Sequence, residues 1–129
     1  MLKSFRQLIK SLILFWDIKQ YCKQKKVYCK INNFFYTIKI SQKTPAPSLY
    51  FIIVLQKNNY KTKVNRIRKK ETTAQVVLLT SEIDYQYLFN NHLELLGVID
   101  LSANTSYTSQ LKLLKEYIDT FIATTEKNI

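Results

Sequence analysis

Across residues 75–101, QVVLLTSEIDYQYLFNNHLELLGVIDL, the hydrophobic pattern changes period twice, and this constrains the fold more than any other stretch. Val76, Val77, Leu78 and Leu79 make an unbroken apolar run, too short for a helix and rich in branched side chains, which predicts a buried strand. Ser81, with Asp84 three residues on, has the outline of an N-cap and its acidic partner. Tyr85, Leu88, Phe89, His92, Leu95, Leu96 and Ile99 then fall at helical spacing, predicting a helix over residues 82–96. Gly97, the only glycine in the chain, stands where that helix should stop. A left-handed position just past a helix costs glycine little and other residues more, so Gly97 is expected at positive φ. Residues 98–101 read as a second strand, completing a strand–helix–strand unit.

The flanking elements follow from the same rules. Leu2, Phe5, Leu8, Ile9, Leu12, Ile13 and Trp16 form an apolar stripe at spacings of three and four, with Lys3, Arg6 and Lys10 off it. This basic amphipathic segment, residues 1–24, has three readings: a transit peptide, a helix lying on a membrane surface, or the first helix of the fold. Residues 27–40 alternate and carry aromatics, predicting one strand bulged near Asn32 and Asn33 or two strands joined there. Pro45 and Pro47 mark residues 41–48 as a loop, and residues 49–56, LYFIIVLQ, as a central strand beyond it. Residues 58–73 read as a polar basic loop, in which the alternation of Tyr60, Thr62 and Val64 allows a short edge strand. A last helix spans residues 107–124 on Tyr107, Leu111, Leu114, Ile118, Phe121 and Ile122. The fold class expected is α+β (mixed α/β) in a single domain of 129 residues. It has strands over 27–80, an acidic helical half over 81–129, and the two helices 82–96 and 107–124 covering one face.

Charge is sorted along the chain. Residues 1–70 hold 17 Lys or Arg and one acid, Asp17, a net of +16, whereas residues 71–129 hold three Lys and eight acids, a net of −5. Gly, Ala, Arg and Pro together number 10 against 57 for Phe, Tyr, Met, Ile, Asn and Lys, the skew of an AT-rich coding genome. Codon bias of that kind raises Lys, but it has no reason to place acids in one half. The asymmetry points to a polyanionic partner. The codon skew suggests an organellar (mitochondrial or plastid) or cytoplasmic setting rather than a secreted one, as do the lack of a secretory signal and two cysteines that suit reduced thiols. The longest early apolar run, residues 12–16, is far too short to span a bilayer.

Catalytic chemistry finds little to work with. His92 is the only histidine and falls on an apolar helical stripe; no carboxylate lies between Asp17 and Glu71; Cys22 and Cys29 alone cannot make a four-ligand zinc site. A phosphate-cradling loop would need glycines that the chain lacks. No enzyme activity, cofactor or metal is therefore expected.

The order helix, several strands, helix, strand, helix resembles the restriction-endonuclease-like fold. That family carries a carboxylate before its central strand and a Glu-x-Lys within it; the matching strand here, YFIIVLQK, has Gln56 and Lys57 and no acid. The resemblance implies a catalytically inactive nuclease-like copy. Residues 51–79 also resemble two strands of the oligonucleotide-binding barrel of single-strand-binding proteins, with FIIVLQ, then NNYKTK, then QVVLL, and with residues 107–110 as the start of a last strand. That resemblance implies a small barrel flanked by helices, with Tyr60 in a binding loop.

The function expected is a non-catalytic basic protein binding single-stranded DNA or RNA. Lys61, Lys63, Arg66, Arg68, Lys69 and Lys70 would neutralise phosphates and Tyr60 would stack on a base. The alternative is a structural subunit of a larger organellar assembly, such as a ribosome or a membrane complex, docking protein neighbours through the acidic C-terminal half.

Overall fold

The computed structural model describes residues 2–32, 37–42, 47–54, 60–81, 83–90, 94–102 and 106–127. The elements run α1 (Leu2–Gln24), β1 (Tyr28–Asn32), β2 (Thr37–Ser41), β3 (Leu49–Ile53), α2 (Tyr60–Lys70), β4 (Gln75–Thr80), α3 (Tyr85–Asn90), β5 (Gly97–Asp100) and α4 (Tyr107–Lys127). The strands lie in chain order in one open, mixed five-stranded sheet. β1, β2 and β3 form an antiparallel meander, with Tyr28 opposite Ser41 and Thr37 opposite Ile52. β4 and β5 then join in parallel, with Leu49 beside Gln75 and Val77 beside Gly97. The α+β architecture is as expected. The barrel is not formed: the residues matched to its last strand are the first turn of α4.

Strand alternation divides the core into two layers. Leu49, Phe51, Ile53, Val77, Leu79 and Ile99 face α1 and α4, packing on Leu14, Phe15, Ile18, Cys22, Leu114, Ile118 and Phe121. Tyr50, Ile52, Val54, Val76 and Leu78 face the other way, onto Val64 and Ile67 of α2 and Leu88 of α3. β3 is buried along its whole length because helices lie on both sides of it. The expected pairing of the second-unit helix with the last helix on one face is therefore corrected. α4 shares its face with α1, and α3 shares the opposite face with α2.

Local structure departs from expectation at three more places. First, α1 turns a different side to the sheet from the stripe expected. Leu14, Phe15, Ile18 and Cys22 are buried, while Ile9, Ile13 and Trp16 are exposed. The sequence holds two apolar stripes on this helix, and only contact with the sheet selects between them. Second, α3 begins after Asp84, not Ser81. The Asp84 carboxylate accepts the Tyr87 N–H at 3.0 Å, and its carbonyl accepts the Leu88 N–H at 3.1 Å. Of the predicted helix, Tyr85–Asn90 is α3, whereas Leu96 is not helical: its N–H donates to the Val76 carbonyl at 2.8 Å and starts the ladder of β5. Third, Gly97 has no positive φ and opens β5.

Among the described residues the left-handed one is Lys26, with φ at 60°. It closes α1 in a Schellman motif: the Val27 N–H donates to the Cys22 carbonyl at 3.0 Å and the Lys26 N–H to the Lys23 carbonyl at 3.3 Å. Among the other expected core residues, Leu95 and Leu111 are half-buried. Leu55 and His92 lie outside the described residues.

Candidate nucleic-acid interface

The residues expected to touch phosphate lie on a helix, not in a loop or edge strand. β3 and β4 are parallel, so the chain between them must cross back over the sheet, and α2 is that crossover. Val64 and Ile67, three residues apart, are its buried side. Lys61, Arg66, Lys69 and Lys70 are exposed on the rest of the helix. Lys63 is half-buried, and burial first, then the charge of Arg66, hold its ammonium pKa below the usual lysine value. Arg68 is half-buried as well: its Nη2 donates to the Glu94 carbonyl, tying α2 to the segment before β5, and its Nε is buried with no hydrogen-bond partner. Tyr60 is the first residue of α2, and its side chain lies outside the described residues.

No acid lies between Lys61 and Lys70, and the first that follows is turned inward. Glu71 accepts the Ser48 N–H at 2.8 Å and the Tyr50 hydroxyl at 3.2 Å. These bonds tie the C-terminal end of α2 to β3, and two further lysines stand on the sheet beyond it. Lys39 holds its ammonium 5.9 Å from the centre of the Tyr50 ring, and Lys30 lies directly across from Lys39 in the β1–β2 ladder. Tyr28, Lys30, Lys39 and Tyr50 alternate onto the same face of the sheet as α2. Sequence reading missed Lys30 and Lys39 because they sit in a different segment, and only strand register puts them on the face of the sheet that α2 covers. The alternation of residues 27–40 was nevertheless a signal that a register assignment would have turned into a cross-strand Lys–Lys pair.

Two of these arrangements work against folding. Like charges directly opposite in an antiparallel pair repel, as Lys30 and Lys39 do. The first turn of α2 carries Lys61 and Lys63 and no acid, against the preference of the helix dipole for negative charge at that end. Exposed aromatic rings accompany the cations. Tyr28 is 55 % exposed, and on α3, on the same side of the sheet, Tyr85 is 69 % and Phe89 81 % exposed.

Two acids near the other face are engaged as well. Asp17 accepts the Tyr107 hydroxyl, and Asp119 accepts the Tyr21 hydroxyl at 2.6 Å. β3, which would hold the carboxylates of a restriction-endonuclease-like site, is apolar from Leu49 to Val54. The two cysteines meet: Cys22 is buried, and its thiol hydrogen-bonds Cys29. That bond lowers the Cys29 pKa, helped by Lys19, and raises that of Cys22. Among the described residues no group of three metal-ligating side chains assembles, and no helix is long and apolar enough to cross a membrane. Comparison with known proteins returns no matching family model, no matching curated protein and no matching solved structure.

Proposed function

We propose that this protein is a non-catalytic nucleic-acid-binding protein whose contact surface is the α2 side of the sheet. Lys30, Lys39, Lys61, Arg66, Lys69 and Lys70 serve as the phosphate-contacting groups. The observation that carries this reading is that the cross-strand Lys30–Lys39 pair lies on the same face of the sheet as the cations of α2. Charges placed where they oppose local stability fit a polyanion that offsets the repulsion when it binds. The exposed rings of Tyr28, Tyr85 and Phe89 favour a single strand, whose unstacked bases offer π-faces to aromatic side chains.

Fluorescence anisotropy with a labelled single-stranded oligonucleotide at several salt concentrations tests this. Neutralising Lys30, Lys39, Arg66, Lys69 and Lys70 to Gln should weaken binding alike for all sequences. It should flatten the slope of log affinity against log salt by about 0.7 for each single-strand phosphate no longer neutralised. Neutralising Lys23 and Lys25, on the opposite side of the molecule, should leave the slope unchanged. Equal weakening by both sets, or no binding by the unaltered protein at physiological salt, would refute the assignment.

A further inference from the structure

We propose that the outward side of α1 is a docking surface for an anionic lipid bilayer, independent of the nucleic-acid interface on the other face of the sheet. Ile9 is 42 %, Ile13 50 % and Trp16 61 % exposed. With about 100° between successive helical residues, these three lie roughly opposite the buried side made by Leu14, Phe15, Ile18 and Cys22. They therefore form a second apolar stripe, on the side of α1 turned away from the core. Lys10 and Ile13 also line a groove of about 330 Å³ between α1 and the start of α4, with Ser102, Tyr107 and Gln110.

Charge selects the occupant. Lys10, Lys19, Lys23, Lys25 and Lys26 are all exposed around the stripe and at the end of α1. The one acid on α1, Asp17, is held by the Tyr107 hydroxyl. α4 alongside contributes Lys112 and Lys115 against Glu116 and Asp119, so the basic excess of this side comes from α1. A second copy of a +11 chain would bring two such lysine sets together around the apolar contact, and they would repel. A nucleic acid gains nothing from Ile9 and Ile13. An anionic bilayer satisfies both parts: its interface takes up an indole and aliphatic side chains to a shallow depth, and its headgroups attract flanking lysines.

Trp16 is the only tryptophan, so its emission reports on this surface directly. The full chain is titrated with vesicles of phosphatidylcholine alone and of phosphatidylcholine mixed with phosphatidylglycerol. The expected result is a blue shift, and quenching by brominated acyl chains, with the mixed vesicles only, weakening as salt rises. The I9Q/I13Q double variant should lower partitioning about tenfold or more, while keeping the melting temperature and oligonucleotide affinity of the unaltered chain. Any one of four results would overturn the proposal. These are no shift with either vesicle, an equal shift with both, co-sedimentation without a shift, or a vesicle-free shift that tracks a dimer in sedimentation equilibrium.

Discussion

Replacing Gly97 by Ala tests why the only glycine of the chain is where it is. A Cβ built at position 97 meets the Tyr117 hydroxyl well inside van der Waals contact and lies 2.6 Å from its Cζ and 3.2 Å from its Cε1. The backbone there needs no glycine, since φ is not positive. The whole penalty of the substitution should thus come from the Tyr117 ring. Overpacking of this kind costs about 1–3 kcal/mol, and about 1.5–2 kcal/mol applies here because a ring at the edge of the core can partly swing aside. Alanine itself is favoured over glycine in a strand by roughly 0.5–1 kcal/mol, which offsets part of the clash. The net expected for Gly97→Ala is a destabilisation of about 1 kcal/mol, seen as a fall in melting temperature of roughly 3–5 °C for a chain of this size. In a Tyr117→Ala background the same change should be neutral or stabilising by about 0.5 kcal/mol, a coupling of roughly 1.5 kcal/mol in the double-mutant cycle. Urea unfolding of the four proteins measures this. A penalty that persists without the Tyr117 ring would show that position 97 is constrained by its backbone, as the sequence alone suggests, and would refute the steric account.

Lys26→Gly should raise the melting temperature, because the left-handed φ of 60° strains lysine and not glycine; about 0.5–1 kcal/mol is expected, and Lys26→Val should destabilise by at least as much. Leu114→Ala, at a fully buried position between α4 and the sheet, should cost about 2–5 kcal/mol in denaturant unfolding. Burial first, then the Glu71 carboxylate, push the Tyr50 phenol up to about 12, and burial with Asp119 does the same for Tyr21. A phenol whose folded pKa lies above its unfolded value of about 10 contributes stability that is complete below pH ~10 and lost as pH rises toward ~12. Thermal melts across that window should fall, and Tyr50→Phe should make the fall shallower.

Elements decided by local chemistry were legible in the chain itself. The apolar branched run of residues 76–79 allows little but a buried strand, and the stripe of α4 returns every three to four residues from Tyr107 to Ile122. The absence of a carboxylate from β3 is likewise a property of the chain alone. Tertiary structure decided what local signals left balanced. The segment YKTKVNRIRKK has only Val64 and Ile67 to bury, and its alternation at Tyr60, Thr62 and Val64 suits a strand as well as a helix. It becomes α2 because two parallel strands need a crossover, and a helix uses two apolar residues three apart to seat on the sheet. The apolar spacing of α3 continues to Ile99, yet the chain belongs to the sheet from Leu96, whose N–H gains a ladder partner in β4. The stripe of α1 that meets the sheet and the alignment of Lys30 with Lys39 on the face that α2 covers depend on packing and register between distant segments. Periodicity along one segment carries no information about which side its neighbours will cover.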